Sequence, residues 1–152
     1  MDIDFSTTLD VKNNTISIEP GTKAVSGNRA LLNQFEIVML TKWKKFFYPE
    51  TKQVTEVRFG GNSSASSSSL HATDKTSIMA AMTASIRNTV QSIQLEQSNL
   101  SLPDTEKLDS ATLEALDTYG DQVVSVINVV PVETEPQVDL KLNLPVINIK
   151  EY

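Results

Sequence analysis

Hydrophobic and polar residues alternate in distinct blocks along this chain, and the first block predicts a strand. In Thr15–Glu19, Ile16 and Ile18 alternate with polar neighbours, the pattern of a half-buried strand. Pro20 and Gly21 follow directly and predict a turn.

The next block has the period of a helix. Apolar residues recur at spacings of three and four at Leu32, Phe35, Met39, Trp43 and Phe46. This predicts one helix of several turns that buries a single apolar stripe. It is expected to start near Asn28 and to end before Pro49, because the residue before a proline is steered out of the helical region.

A strand and a serine-rich run separate this helix from a second one. Residues 53–59 are rich in β-branched and aromatic side chains and predict a short strand. Residues 62–73 predict a flexible surface loop, because serine hydroxyls compete for backbone hydrogen bonds and bury little area.

The second helix is predicted to begin near Thr73 or Asp74. Its apolar stripe comprises Ile78, Met82, Ile86, Val90 and Ile93, and its opposite face carries Ser, Thr, Asn and Gln with few charges. Solvated helices normally carry charged residues on that face. Two interpretations stay open: a partner covers the polar face, or the helix is simply amphipathic.

The remaining sequence predicts a short helix and then a β region. The spacing of Leu108, Ala111, Ala115 and Tyr119 predicts a third helix over 104–119, within a segment, 97–120, interpreted as an insertion. "VVSVINVVPV" is apolar at successive positions and predicts a strand buried on both faces. In "QVDLKLNL", Val138, Leu140, Leu142 and Leu144 share one strand face, and Asp139, Lys141 and Asn143 share the other.

The order of these elements predicts the fold class. We expect one α+β domain over 1–152, with two long helices and a short one packed on a small, mainly antiparallel sheet.

Composition narrows the function. The 152 residues carry a net charge of −6, no cysteine and no basic cluster larger than "KWKK", which argues against nucleic-acid binding. No apolar run approaches the roughly 20 residues that span a bilayer, and the acidic N-terminus lacks an apolar signal core. We therefore expect a soluble protein made in the cytoplasm.

No residue cluster predicts catalysis. His71, Asp74 and the nearby serines can form a triad on paper, but a triad needs a rigid scaffold. One histidine without cysteine does not meet the usual zinc ligand set. Scattered carboxylates could supply an acid and a base for glycoside hydrolysis, although a solvated acidic face explains them better: Glu50, Glu56, Glu96, Asp104, Glu106, Asp109, Glu114 and Asp117. The sequence therefore predicts no enzyme, no cofactor and no metal.

Two short motifs and their order carry a family resemblance. Leu40-Thr41 ends the first helix, Phe59-Gly60 precedes the second, and a strand pair closes the chain. In this, residues 16–144 resemble the baseplate wedge or sheath-initiator family of contractile phage tails, which also has members in type VI secretion systems. That family commonly shows Glu-Pro-Arg after the second helix. Here Glu96 can hold the acidic position, but no Pro-Arg follows.

The resemblance implies a structural role in the virion. Such a protein joins the baseplate wedge to the tail tube and templates the first sheath ring, offering a sheet edge to a sheath strand. The implied partners are sheath, wedge and tube or hub proteins, with several copies in a symmetric assembly. The candidate docking residues are Val138, Leu140, Leu142, Leu144, Ile16, Ile18, Phe59 and Gly60. Two alternatives remain: a small carboxylate-dependent hydrolase of the tail-lysozyme kind, and a generic tail connector or completion protein.

Overall fold

The computed structural model describes residues 6–10, 15–19, 25–63, 75–119 and 122–148. Within these ranges, two long helices, α1 (Asn28–Leu40) and α2 (Lys75–Gln97), lie among seven strands. A single 3-10 turn, Asp104–Glu106, follows α2. The strands are β1 (Ser6–Asp10), β2 (Thr15–Glu19), β3 (Lys44–Tyr48), β4 (Gln53–Val57), β5 (Leu108–Tyr119), β6 (Gln122–Pro131) and β7 (Lys141–Asn148).

The strands form two hairpins and one larger sheet, and all of these pairings are antiparallel. β1 pairs with β2, and β3 pairs with β4. The third sheet has the order β5-β6-β7, with β6 in the centre. In that sheet Ile127 of β6 stands opposite both Leu113 of β5 and Leu142 of β7.

One hydrophobic core joins the two helices to the three-stranded sheet. α1 packs on α2, and α2 packs on β5. Phe35 and Met39 of α1, Ile93 of α2 and Ile127 and Val129 of β6 are fully buried within it. The core stripe predicted for α2 is confirmed, because Ile78, Met82, Ile86 and Ile93 are buried and Val90 packs against them.

α1 is shorter than its sequence pattern predicted. Thr41 has extended backbone angles and its N–H donates to the Val38 carbonyl, which also accepts from Gly61. These bonds satisfy a carbonyl that the last helical turn leaves without a partner. Trp43 and Phe46 therefore do not continue the helical stripe, and 44–48 is an exposed strand.

The predicted third helix is wrong. Residues 108–119 form β5, the longest of the described strands. Within the predicted range of 104–119, helical structure is limited to one 3-10 turn, Asp104–Glu106. The predicted fold class, with two long helices and a short one on a single small sheet, is corrected accordingly. The described part of the chain has two long helices, and its strands are divided among three antiparallel sheets.

Several other predicted strands are present in the structure. The strand over 15–19 is confirmed, and the strand predicted over 53–59 is present but ends at Val57. β6 is also confirmed, and its residues are alternately buried and half-buried because both faces are apolar. The predicted pairing of the last two strands is confirmed, although β7 begins at Lys141 rather than at Val138. Of the predicted serine-rich loop, residues 64–73 lie outside the described residues, as do His71 and Asp74.

We expect Met39→Ala to lower the free energy of unfolding by about 2–5 kcal/mol, because the Met39 side chain is 0% exposed and its loss leaves a cavity. Ile37→Ala is the matched control on the same helix. Ile37 is 60% exposed, so this change should cost less than about 0.5 kcal/mol apart from helix propensity. Chemical denaturation measures both, and equal effects would contradict the assigned helix orientation.

Candidate functional site

The two motifs that carry the family resemblance meet in the structure. The Asn62 N–H donates to the Thr41 carbonyl at 3.0 Å, and the Trp43 indole N–H donates to the Gly60 carbonyl at 3.1 Å. Gly60 has φ of 97°, and a Cβ there would lie 2.8 Å from the Thr41 Cβ. Only glycine fits this position without strain. The Leu-Thr and Phe-Gly motifs are therefore in direct contact, and we call the contact between residues 40–43 and 59–62 the joint.

The uncharged polar face of α2 packs against this joint. Ser85, Thr89 and Ser92 are buried. Ser92 Oγ accepts the Gly60 N–H at 3.0 Å, and Ser63 Oγ donates to the Met39 carbonyl at 2.9 Å. The segment 60–63 of the same chain therefore covers the part of the polar face around Thr89 and Ser92. A partner covering the polar face was one of the two interpretations of the sequence.

A buried glutamine fixes the end of α2 to the sheet. Gln97 Oε1 accepts the Leu108 N–H at 2.9 Å, and its Nε2 donates to the Glu106 carbonyl at 2.8 Å and to Gln34 Oε1 at 3.1 Å. One side chain thus links α1, α2 and the start of β5. It lies directly after Glu96, where the family that the sequence motifs resemble carries proline in its Glu-Pro-Arg motif.

The predicted docking residues fall at different places. Leu142 and Leu144 lie on the inner face of β7, half-buried and buried respectively, and Val138 and Leu140 lie half-buried in the segment before it. Ile16 and Ile18 belong to β2, and their side chains lie outside the described residues. Of the remaining pair, Gly60 is buried in the joint and Phe59 is exposed beside it. These residues do not form one surface.

The outer edge of β7 offers few backbone donors. The Val129 N–H donates to the Leu140 carbonyl, so the backbone of Leu140 faces β6. In an antiparallel pair the direction of the N–H and carbonyl groups alternates from one residue to the next. The N–H and carbonyl of every second β7 residue, beginning with Lys141, therefore point away from β6. Asp139 Oδ1 accepts the Lys141 N–H at 3.1 Å, and Pro145 has no N–H. Along 141–145 this leaves the Asn143 N–H to pair with another strand.

The outer edge of β5 is different. Because the backbone N–H and carbonyl of Val129 point to β7, those of the neighbouring Asn128 point to β5, where Asn128 pairs with Thr112. Ala111 and Leu113 therefore direct their N–H and carbonyl groups away from the sheet. Among the described residues, no strand pairs with β5 on this side.

An open groove runs along this edge. It has a volume of about 520 Å³ and lies between α2 and β5. Its floor and walls are largely apolar, and exposed Arg87 is its one charged lining residue. We call it the α2–β5 groove, and its lining residues are Thr83, Ile86, Arg87, Val90, Gln91, Ser110, Ala111, Thr112 and Leu113.

The carboxylates considered for hydrolysis are dispersed. Glu56 pairs with Arg58, Asp104 with Lys107 and Glu114 with Lys141. Glu96 accepts from the Gln34 amide, and Glu106 accepts from the Gly27 N–H. Within the described ranges, no group of three or more His, Asp or Glu residues is placed to hold a metal ion.

Comparisons with known proteins add no neighbour. No family model, no curated protein and no solved structure matches the chain. In the part of the chain that the structure describes, no helix combines the length and the apolar character needed to cross a membrane.

We expect Gln97→Leu to destabilise the protein by at least about 2 kcal/mol. Leucine keeps most of the volume but leaves the Leu108 N–H and the Glu106 carbonyl buried without their partner, and each such group costs about 1–3 kcal/mol. Gln91→Leu, at an exposed position of the same helix, is the control and should change stability little. Similar denaturation midpoints for the two variants would show that the Gln97 amide does not hold this junction.

Proposed function

We propose that this protein is a structural, non-enzymatic component of a contractile-tail baseplate. In this role it joins the baseplate wedge to the tail tube and templates the first sheath ring. It does so by accepting an extended strand of a sheath subunit at a sheet edge. The motif resemblance supplies the family role, and the geometry of the three-stranded sheet supports the mode of binding.

The open edge of β5 is the observation that carries the proposal. Strand addition needs a row of unpaired backbone groups for affinity and side-chain pockets beside it for specificity. Ala111 and Leu113 present the backbone groups, and the α2–β5 groove supplies the apolar wall next to them. Folded proteins usually blunt such edges, so an open edge beside an apolar groove favours a binding role.

The two edges of the sheet are not equivalent for this purpose. β7 contains two of the eight docking residues predicted from sequence, Leu142 and Leu144. Its outer edge is blunted by the Asp139 side chain and by Pro145. We therefore place the sheath strand on β5. Exposed Arg87 in the groove favours a strand that carries an acidic residue, since an opposite charge at the rim improves both the rate and the specificity of association.

The positions of the carboxylates also favour a structural role over glycoside hydrolysis. Glycosidases place two carboxyl groups on either side of one scissile bond. The candidate carboxylates here lie on different elements, and several are engaged by local partners.

Two proline substitutions distinguish the edges. Ala111→Pro removes an N–H that points away from β6 at the edge that borders the α2–β5 groove. Lys141→Pro removes one that points outward from β7. Neither N–H takes part in the pairing with β6, and proline is tolerated on edge strands. We expect tails assembled with Ala111→Pro to fail to polymerise sheath and tails with Lys141→Pro to polymerise it normally.

Thermal stability of both variants is measured first, so that a folding defect is not mistaken for a docking defect. If only Lys141→Pro blocks sheath polymerisation, the docking strand is β7. Normal polymerisation on tails carrying either variant would show that strand addition through this sheet is wrong.

A further inference from the structure

The β3–β4 hairpin exposes apolar side chains on both of its faces. Phe47 and Val54 stand opposite each other in register and are 62% and 63% exposed. Phe46 and Tyr48 lie on the other face and are also exposed. Monomeric proteins rarely leave contiguous apolar surface of this kind uncovered, and where they do it commonly marks an interaction site.

The hairpin is also basic, in a chain that is acidic. Residues 42–58 contain five cationic and two acidic side chains, whereas the whole chain carries a net charge of −6. The cations lie along and at the base of the hairpin: Lys42, Lys44, Lys45, Lys52 and Arg58. A partner surface that complements it must be acidic and must offer apolar contacts.

This protein carries such a surface where the β6–β7 loop packs on the 3-10 turn. The Val132 N–H donates to the Lys107 carbonyl at 2.9 Å, and the Glu133 N–H donates to the Asp104 carbonyl at 3.1 Å. The Asp104 and Glu133 side chains are exposed, and Val132, next to Glu133 in the loop, is 54% exposed. Asp104 pairs with Lys107, but residues 104–107 and 132–135 together carry four acidic side chains and one cation. We call this surface the acidic end.

The hairpin and the acidic end of the same chain lie at opposite ends of α1. The buried Asn28 side chain at the start of α1 donates to the Thr105 and Glu133 carbonyls, which places the acidic end beside the N-terminus of α1. The hairpin follows the C-terminus of the same helix. Thirteen helical residues separate the two by roughly 20 Å.

We propose that the β3–β4 hairpin of one copy docks on the acidic end of a second copy. The contact joins two different surfaces, so it is head-to-tail and extends to a ring or a filament. A lipid surface is a poorer partner, because the polar tip of the hairpin, with Glu50 and Lys52, would have to enter it first. The inference concerns the protein alone and does not depend on the baseplate role.

Sedimentation velocity of the purified chain over a series of concentrations tests the proposal. We expect reversible association beyond the monomer that weakens as salt is raised, since exposed charges are screened. Phe47→Ser with Val54→Ser should weaken association by about tenfold or more, as should Val132→Lys with Glu133→Lys. Ile37→Ser, which removes an equally exposed apolar side chain from α1, should leave it unchanged.

Mixing the two double variants gives the sharpest result. One retains an intact acidic end and the other an intact hairpin, so together they should form a one-to-one dimer that does not grow further. If Val132→Lys with Glu133→Lys lowers thermal stability, Glu133→Lys alone replaces it. The proposal is overturned if the wild-type chain stays monomeric at all concentrations, if the hairpin variant associates like wild type, or if the mixture yields no dimer.

Discussion

The hydrogen bonds of the Gln97 amide constrain how α1, α2 and β5 lie relative to one another, and the α2–β5 groove depends on this arrangement. This side chain ties the end of α2 to the start of β5 and to α1. It therefore fixes the direction in which β5 leaves the helix, and hence the width of the α2–β5 groove. Asn28 makes the equivalent link at the other end of α1, where its amide holds the 3-10 turn and the β6–β7 loop. Buried amides of this kind are costly unless every partner is present, so they specify one arrangement of helices and sheet.

The helices and several strands follow from the sequence because their patterns are regular, and β5 does not because its pattern is irregular. Its inward-facing residues Leu108, Ala111, Leu113 and Leu116 have spacings of three, two and three, since register shifts lie between Leu108 and Ser110 and between Leu113 and Ala115. A β-bulge adds one residue and moves the alternation to the other face. The predicted helix rested on spacings of three and four among Leu108, Ala111, Ala115 and Tyr119, and the first register shift produces the spacing of three between Leu108 and Ala111.

The candidate site was only partly accessible to sequence reasoning. Alternation identified β7 as a strand, but the choice between the two sheet edges depends on which N–H groups point outwards, and that follows from register. The end of α1 presented a similar difficulty, because Trp43 and Phe46 continue its apolar spacing beyond the last helical residue. The aromatic content of 44–48, which favours strand, was the signal that could have identified the hairpin. The close approach of Gly60 to α1 and of Gly61 to both helices depends on the three-dimensional arrangement and has no separate signal in the sequence.

The proposed surfaces differ in the kind of interaction they offer, which separates their roles. The β5 edge presents backbone groups beside an apolar wall, so it selects for an extended conformation more than for a particular sequence. The β3–β4 hairpin and the acidic end present side chains of opposite charge around apolar contacts, so they select for a particular surface and orientation. The Asp139 side chain and Pro145 disfavour pairing of the β7 edge with the sheet of another copy. A protein built in this way can associate with its own copies through side chains while it keeps one sheet edge free for a strand of a different chain.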